Sequence, residues 1–327
     1  MTNKRTVIGI DIGGTKVSAG LFHINGDILH QQMQLIGQQQ GLGVIEIIAA
    51  MVKKLIAYAN NHGYTPAAIG ACVPGIYNPE DRTVWAPNIP GWNHIPLWDE
   101  LTRHLNDPSI KIVIESDRSC YILGEIWQGC AEGCSDAIFI AVGTGIGAGI
   151  LSNGAIINGK SGIAGAISWM ALEPPYNRKY DSWGNLEHYA SGNGISRSAI
   201  EILQKKRSTT SMLDELPMEL ITSHDVFKAY EQKDAVAVKV LDKAIKYWGM
   251  TVANLVSIFN PQKIIFGGGV FGPASQFLDS IRSEAKKWAQ PLSFQEMQLE
   301  VSTLAGNAGL IGAAFLAIKS INERDHA

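Results

Sequence analysis

The amino-acid sequence predicts a mixed α/β protein made of two related lobes with a cleft between them. Short runs of β-branched residues alternate with longer segments of helical periodicity. In addition, each half of the chain has a strand, a glycine-rich turn and a second strand, followed by helices. Such alternation is typical of α/β domains, and 327 residues are enough for two of them.

The first strand is predicted in the segment Val7–Lys16, whose sequence is VIGIDIGGTK. Its β-branched run Val7–Ile10 favours a buried strand. A second apolar stretch, Val17–Phe22, follows the turn, and Asn25–Asp27 turns the chain again. The segment therefore predicts a meander of three strands rather than a strand followed by a helix.

The turn after this strand has the composition of a phosphate-binding loop. Gly13 and Gly14 let backbone N–H groups approach an anion closely, because no Cβ intervenes. Thr15 adds a hydroxyl donor and Lys16 a positive charge, while Asp11 is suited to hold Mg²⁺ directly or through water. A tight hairpin with an aspartate at the strand end is the alternative interpretation of the same residues.

The rest of the first half continues the α/β pattern. Helical periodicity predicts helices, and short apolar runs that end in turn residues predict strands. The predicted elements are helices at Leu42–Asn60, Leu97–Leu105 and Arg118–Gln128, and strands at Ala68–Val73 and Lys111–Glu115.

The second half repeats this arrangement from about Asp136 onward. Its longest predicted helix, Ala235–Phe259, is stopped by Pro261. Further helices are predicted from Ile195, from Val226, over Ala274–Trp288 and after Gly309, and strands at Ala137–Val142, Ala148–Leu151, Lys263–Phe266 and Gln298–Ser302.

Composition and charge exclude several classes of function. The net charge is −3 without a block of Lys or Arg, so the chain predicts no nucleic-acid or membrane-binding surface, and no apolar run is long enough to span a membrane. The first apolar run, Val7–Ile10, is ended by Asp11 and is too short for a signal peptide. The small number of cysteines, four, suits a reducing cytoplasm. Cys130 and Cys134 have no His or Cys beside them to complete a metal site.

Three glycine-rich turns each follow a predicted strand. The second is Gly143–Gly147 (GTGIG) and the third is Gly267–Gly269. Three such turns favour a ligand with several phosphates, although the P-loop pattern is absent. The segment Gly267–Gly272 also satisfies the dinucleotide pattern GxGxxG, so an NAD-dependent oxidoreductase is an alternative. That alternative leaves the two earlier turns unexplained.

These motifs together resemble the ROK family (repressors, uncharacterised frames and sugar kinases) of the sugar kinase/actin superfamily. The resemblance implies a two-lobed actin-like ATPase (ribonuclease H-like) fold in which ATP and a sugar meet in the interlobe cleft. It implies lobes of residues 1–115 plus 307–327 and of residues 116–306, with the C-terminal helix packed on the first. The matching segments are Val7–Lys16, Pro74–Gly75, Ala86–Trp92, Ser116–Asp117, Gly124–Glu125, Gly143–Gly147, Ile265–Gly269 and Gly306–Ala313.

The resemblance assigns a catalytic role to Asp117. This residue matches the general base of the family, which accepts the proton of the attacking sugar hydroxyl. The alternative interpretation is that Asp117 is only the N-cap of the helix that follows.

The resemblance also assigns binding roles. It implies that ATP carries Mg²⁺, which Asp11 is placed to hold. Glu187 has the alternative interpretation of a surface helix residue. Phosphates would be bound by Gly13, Gly14, Thr15, Lys16, Gly143, Thr144 and Gly145, adenosine by Gly268 and Gly269, and the sugar by Asn88, Ser116, Asp117 and Glu187.

The sequence departs from the family where the sugar is bound. Ala166 and Trp169 stand where the family has a Glu and a His that bind the sugar, and Ser116 stands where it has an Asn. A pocket without those polar partners should favour a different hydroxyl pattern, with Trp169 stacking on a sugar face or a substituent. The alternative is that Trp169 is a core residue.

The same region lacks the zinc-binding cysteines of the family. Alignment on Glu187 puts Arg178, Tyr180 and Asn185 in their places, so no structural zinc is expected. The loop Trp169–Asn185 must then be held by packing. The residues suited to this are Tyr176, Tyr180 and Trp183, with Pro174–Pro175 as a stiffener.

The sequence therefore predicts a cytoplasmic carbohydrate kinase with altered sugar specificity. The resemblance implies a homodimer, and it leaves open a nucleoside triphosphate or polyphosphate as donor. The alternative is a non-catalytic sugar sensor of the same fold. Only six residues precede Val7, so a DNA-binding domain like that of ROK repressors is not expected.

Overall fold

The structure, a computed structural model, describes residues 5–205 and 211–322. The predicted lobe boundaries also include residues 1–4 and 323–327, which lie outside the described residues. The strands are β1 (Arg5–Ile12), β2 (Lys16–His23), β3 (Ile28–Leu35), β4 (Thr65–Val73), β5 (Ile76–Asn78), β6 (Thr83–Trp85), β7 (Asn93–Ile95), β8 (Lys111–Ser116), β9 (Ala137–Val142), β10 (Ile146–Ser152), β11 (Ala155–Ile156), β12 (Lys263–Gly267) and β13 (Gln298–Val301). The α-helices are α1 (Leu42–Asn61), α2 (Leu97–Leu105), α3 (Asp117–Gln128), α4 (Asn185–Ala190), α5 (Gly192–Lys205), α6 (Ser223–Glu231), α7 (Ala235–Phe259), α8 (Leu278–Ala285), α9 (Pro291–Glu296) and α10 (Ala308–Asn322).

The described chain divides into two compact units. The first contains the residues up to Gly133, the segment Ile156–Ala164 and the residues from Thr303 onward. The second contains Cys134–Ala155 and Gly165–Ser302. This division differs from the predicted one, because α3 packs closely along α10 and so belongs with the first sheet.

The first unit is built on a five-stranded sheet of order β3-β2-β1-β4-β8. The predicted meander is confirmed: β1, β2 and β3 are antiparallel neighbours, whereas β4 and β8 run parallel to β1. Successive side chains of a strand point to opposite faces of the sheet. The residues of β1 therefore contribute to two hydrophobic cores, one on each face. Ile8 and Ile10 pack with residues of α1, while Val7 packs with residues of α10.

Helix α10 lies unusually close to its neighbours, because glycines face it. A Cβ at Gly9 would come within 2.6 Å of the carbonyl oxygen of Leu310, and one at Gly70 would overlap the carbonyl oxygen of Ala313. Gly312 stands in the same relation to the backbone of α3. The implied packing of the C-terminal helix on the first lobe is confirmed.

The second unit has a sheet of the same design. Its strand order is β11-β10-β9-β12-β13, with β9 and β10 antiparallel and β12 and β13 parallel to β9. The 25-residue helix α7 has the bounds that the sequence predicts. Asp234 caps its first turn by accepting hydrogen bonds from Val236 and Ala237, and Asn260 ends it in the left-handed conformation.

One predicted helix, Ala274–Trp288, is confirmed as an α-helix only over Leu278–Ala285. Two 3₁₀ turns, Gly269–Phe271 and Pro273–Phe277, precede α8, which ends at Ala285. The Ser275 hydroxyl donates a hydrogen bond to the carbonyl oxygen of Gly272, and such local bonds compete with an α-helical start.

Across residues 5–205 and 211–322, no helix combines the length and the apolar character that crossing a membrane requires.

The close approach of α10 leads to a test of stability. An alanine methyl at Gly312 would overlap the carbonyl oxygen of Cys120. The methyl has a fixed direction from Cα and the carbonyl belongs to the helix backbone, so neither can turn aside. We expect Gly312→Ala to lower the free energy of unfolding by about 3 kcal/mol, measured by chemical denaturation. Gly43→Ala in α1 is the matched control, since its methyl would meet only the flexible end of Gln39. Equal stabilities of the two variants would contradict this account of the packing.

Candidate active site

Asp117 stands at the start of α3, directly after the buried strand β8. The N-cap of that helix is Ser116, whose hydroxyl oxygen accepts a hydrogen bond from the backbone N–H of Ser119. The alternative that Asp117 is the N-cap is therefore wrong. Asp117 occupies the first helical position, and its Oδ1 accepts a hydrogen bond of 2.8 Å from the backbone N–H of Arg118.

The protein surroundings of Asp117 stabilise the protonated, neutral form of its carboxyl group relative to the same group in water. Burial raises the pKa of its carboxyl to about 6, and the negative charge of Asp11 acts in the same direction. The guanidinium and backbone N–H of Arg118 act against that rise. A carboxylate with such a pKa can accept a proton near neutral pH.

The carboxylate of Asp11 lies against the first turn of α10. A Cβ built on Gly309 would stand 2.9 Å from its carboxylate atoms. Burial raises the pKa of Asp11, whereas a hydrogen bond with the Cys72 side chain and the charge of Lys16 lower it. Asp11 and Asp117 therefore form a pair of neighbouring, partly buried carboxylates in the first unit.

The turn after β1 leaves its polar groups exposed. The backbone N–H of Gly13 donates to the carbonyl oxygen of Lys16 at 2.9 Å, while the turn residues Gly14 and Thr15 are exposed, as is Lys16. Asn88 is next to this turn, since a Cβ on Gly14 would stand 3.0 Å from its carbonyl oxygen. The structure thus brings the predicted phosphate turn and a predicted sugar ligand together.

The loop of Asn88 is held by a buried tryptophan. Trp92 is almost fully buried, and its indole N–H donates to the carbonyl oxygen of Gly41 at 3.1 Å. The backbone N–H of Ala86 donates to the carbonyl oxygen of Trp92 at 2.8 Å, which closes the loop. Asn88 itself is exposed at the tip.

In the second unit, Glu187 is bonded to the glycine turn Gly143–Gly147. Its Oε2 accepts a hydrogen bond of 2.8 Å from the backbone N–H of Ile146, and a Cβ on Gly145 would stand 2.7 Å from the same oxygen. Burial raises the pKa of Glu187, and the Ile146 N–H and Arg197 act against the rise. The alternative of a surface helix glutamate is wrong, since the Glu187 carboxylate is bonded to this turn and lies in the side-chain space of Gly145.

The third glycine turn lies beside the second. Gly268 has a φ of 89°, and a Cβ there would overlap the carbonyl oxygen of Val142, the residue before Gly143. Only glycine suits that position. Gly269 has open space around its Cα, as a nucleotide-binding turn requires. The dinucleotide alternative fails, because the 3₁₀ turn Pro273–Phe277 follows this motif where that fold has an α-helix.

Trp169 is 56% exposed, so the alternative that it is a core residue is wrong. Gly184 packs on the backbone at Ser168 and Trp169, since a Cβ there would stand 2.6 Å from the Trp169 Cα. This contact fixes the backbone that carries the tryptophan and leaves its ring free. Ala166 is partly buried.

The loop after Trp169 is anchored by aromatic contacts. The ring of Tyr180 meets those of His188 and Tyr189 edge to face, and the hydroxyl groups of Tyr180 and Tyr189 are 3.2 Å apart. Tyr176 is 74% exposed, so its ring does not pack as an anchor, but its hydroxyl donates a hydrogen bond to Asp181 of the same loop. Trp183 lies under the guanidinium of Arg197, 5.5 Å from the ring centroid.

Polar contacts complete the anchorage, and several of their residues were not predicted. Asn185 accepts a hydrogen bond from the backbone N–H of Leu172 at 2.9 Å. The Tyr247 hydroxyl donates to Glu173 at 2.7 Å, and Lys243 forms an ion pair with the same glutamate at 3.2 Å. No spacing in the sequence indicates these partners, because they lie on helices distant along the chain.

The positions of the family's zinc ligands do not fit a metal ion here. They carry a guanidinium (Arg178), a phenol (Tyr180) and an amide (Asn185), and none of these is a thiolate. Throughout the part of the chain that the structure describes, no group of three or more His, Cys, Asp or Glu residues is arranged to hold a metal.

The raised pKa of Asp117 has a consequence for stability. An acid whose pKa is raised by folding, here from 3.8 to about 6, stabilises the folded state at pH values below 3.8 and loses that contribution as the pH rises through 6. We therefore expect Asp117→Asn to melt at a higher temperature than the parent at pH 8, with the difference vanishing toward pH 4. Melting curves across this pH range measure it.

Asp107→Asn is the control, because hydrogen bonds from Ser109 lower the pKa of Asp107. This substitution should not raise the melting temperature at pH 8. The same gain in both variants would show that the effect at Asp117 is not caused by its burial.

Comparisons with known proteins show relatives of this chain over nearly its whole length. A glucokinase of Halalkalibacterium halodurans is 30% identical over 98% of this chain and 97% of its own length. A xylose repressor of Caldicellulosiruptor bescii is 27% identical over 97% of this chain and 79% of the repressor. The crystal structure of a ROK family glucokinase from Streptomyces griseus, in complex with glucose and AMPPNP, is 30% identical, with a TM-score of 0.75 over 96% of this chain and 99% of that one.

The structural match confirms the predicted actin-like α/β fold. The model of the ROK family matches residues 7–320, which is nearly the whole chain. The resemblance seen in the sequence motifs is thus confirmed, and the chain belongs to the ROK family.

Proposed function

We propose that this protein transfers the γ-phosphoryl group of ATP to a hydroxyl group of a sugar or sugar-like substrate, with Asp117 as the general base. The observation that carries the proposal is the state of Asp117: it is partly buried, it is free of the capping role, and its pKa is about 6. The protein is a carbohydrate kinase, in keeping with its glucokinase relatives.

The roles of the two oxygens of Asp117 follow from its contacts. The backbone N–H of Arg118 holds Oδ1, so Oδ2 is the oxygen that accepts the proton of the attacking hydroxyl. The activated oxygen attacks the γ-phosphorus, the bond between that phosphorus and the β,γ-bridging oxygen breaks, and ADP leaves. The rest of the catalysis is positioning and charge stabilisation. The charge of Arg118 keeps Asp117 ionised above pH 6 in spite of its burial.

ATP is the phosphate donor, in keeping with the AMPPNP complex of the Streptomyces griseus relative. We assign the phosphates to the exposed turn Gly13–Lys16 in the first unit and to Gly143–Gly145 in the second. Gly268 and Gly269, which lie beside the second turn, are assigned to the adenosine. Asp11 is the carboxylate placed to hold Mg²⁺, since hard cations prefer oxygen ligands.

The altered sugar positions give this kinase a different specificity. Asn88 and Glu187 remain as polar partners for the sugar, whereas Ser116 is buried as a helix cap. Ala166 offers no polar group, and Trp169 offers an exposed indole ring. An indole favours an apolar sugar face or a substituent, so the substrate class is a glycoside, a modified hexose or another polyol.

A phosphorylation screen tests the function. Purified protein, Mg-ATP and a panel of sugars, amino sugars, glycosides and polyols are combined, with Asp117→Asn in parallel. We expect turnover of one class, reduced by about 1000-fold or more in the variant. If no compound is phosphorylated but a sugar raises the melting temperature, the protein is a sensor, as the xylose repressor relatives suggest.

A second test concerns specificity. We expect Trp169→Ala to raise the KM for the substrate found in the screen by about tenfold and to change the KM for ATP little, because one stacking contact is lost. Trp288→Ala is the matched control, since that indole is 63% exposed in the turn that follows α8. Conversely, Ala166→Glu with Trp169→His restores the family's pair and should increase turnover of glucose. Strong glucose turnover by the unaltered protein would contradict the proposal.

A further inference from the structure

The segment Ile156–Ala164 belongs to the first unit, although the residues on both sides of it belong to the second. It is fastened to the start of α3 by polar contacts. The Arg118 guanidinium donates to the carbonyl oxygens of Gly162 at 3.1 Å and of Ile163 at 3.4 Å. Asn158 supplies the other contacts.

The amide of Asn158 joins two residues on either side of Asp117. Its Nδ2 donates to Glu115 Oε2 at 2.9 Å, and its Oδ1 accepts from the hydroxyl of Ser119 at 3.2 Å. Glu115 and Ser119 are two residues before and two residues after Asp117. The other carboxylate oxygen of Glu115 accepts from the backbone N–H of Ser116 at 2.8 Å.

These contacts close into a ring of hydrogen bonds. Because the Ser119 proton is given to Asn158, the Ser116 hydroxyl must donate to Ser119 Oγ, 3.3 Å away. Ser116 Oγ also accepts from the Ser119 backbone N–H, so its donor and an acceptor site are used within the ring. The ring passes through Glu115, Asn158, Ser119 and Ser116 and encloses the turn from which Asp117 projects.

We propose that Asn158 is a positioning residue for phosphoryl transfer, because it ties Glu115 to Ser119 and thereby fixes the turn that carries Asp117. This inference rests on the proposed function, in which Asp117 is the base. Asn158 itself does not touch the reacting atoms. Its effect passes through the ring, since a small misplacement of a catalytic group lowers the rate strongly.

The bridge pairs an amide at position 158 with a carboxylate at position 115, so the two groups can be swapped between the positions as a test. Asn158→Ala removes the bridge, and we expect kcat to fall by about tenfold with the KM for ATP within about twofold of the parent. Asn158→Asp should reduce kcat further, because it faces the Glu115 carboxylate with a second negative charge. Adding Glu115→Gln restores one amide and one carboxylate in exchanged places, and kcat should return to within about threefold of the parent.

Ser161→Ala is the matched control, since Ser161 is an exposed residue of the same segment. Its kinetics should equal those of the parent. A readout without turnover is the exchange rate of the Ser119 backbone amide, which should rise in Asn158→Ala and fall again in the exchanged pair. If Asn158→Ala behaves like Ser161→Ala in both readouts, or if the exchanged pair is no better than Asn158→Asp, the proposal is overturned. If the parent phosphorylates no sugar, the proposed function fails, and the amide exchange alone decides whether the bridge fixes the turn.

Discussion

The structure of the first unit depends on the direct contact of one helix with the backbone of its neighbours. Helix α10 approaches β1 and β4 so closely that Gly9 and Gly70 have no room for a Cβ, and Gly312 faces the backbone of α3 in the same way. Close contact of backbones maximises dispersion attraction and excludes water. It also brings Gly309 against the carboxylate of Asp11. One packing constraint therefore joins the end of the chain to the first strand and to the helix of Asp117.

That packing explains why two carboxylates are kept partly buried at a cost in stability. Burial raises the pKa of both Asp11 and Asp117, and the charge of Asp11 makes ionisation of Asp117 still less favourable. The backbone N–H of Arg118 offsets part of the cost at Asp117. The remainder is tolerated in a fold held elsewhere by its two apolar layers. A base that is costly to ionise is also one that holds a proton well, as general base catalysis requires.

The sequence predicts the regular elements well, because their signals are local. The β-branched run of β1, the turn Asn25–Asp27 and the apolar period of Ala235–Phe259 each lie within the element concerned. The helix predicted at Ala274–Trp288 becomes an α-helix only at Leu278, because the Ser275 side chain bonds the backbone nearby, which apolar periodicity does not register. The motif also located Asp117, but it did not reveal that Ser116 takes the cap.

The long-range contacts of the site have no such local signal. Asn158 lies 43 residues from Glu115, and Glu187 lies 41 residues from Ile146, so only the folded chain pairs them. Gly309 is an intermediate case. The motif Gly306–Ala313 includes this glycine, but the sequence does not show why a glycine is required there. A glycine in a first helical turn is explained once the carboxylate of Asp11 is seen to fill its side-chain space.

The loop after Trp169 shows how two departures from the family are joined physically. A metal fixes a loop through few short bonds, whereas here Tyr180, Asn185 and their partners divide the same task among ring contacts and hydrogen bonds. Gly184, directly before Asn185, packs on the backbone of Ser168 and Trp169. The anchored loop therefore supports the backbone that carries Trp169. A loop held in this way keeps the backbone at Trp169 in place while the indole ring stays 56% exposed, and a backbone that is already ordered loses little conformational entropy when a ligand binds.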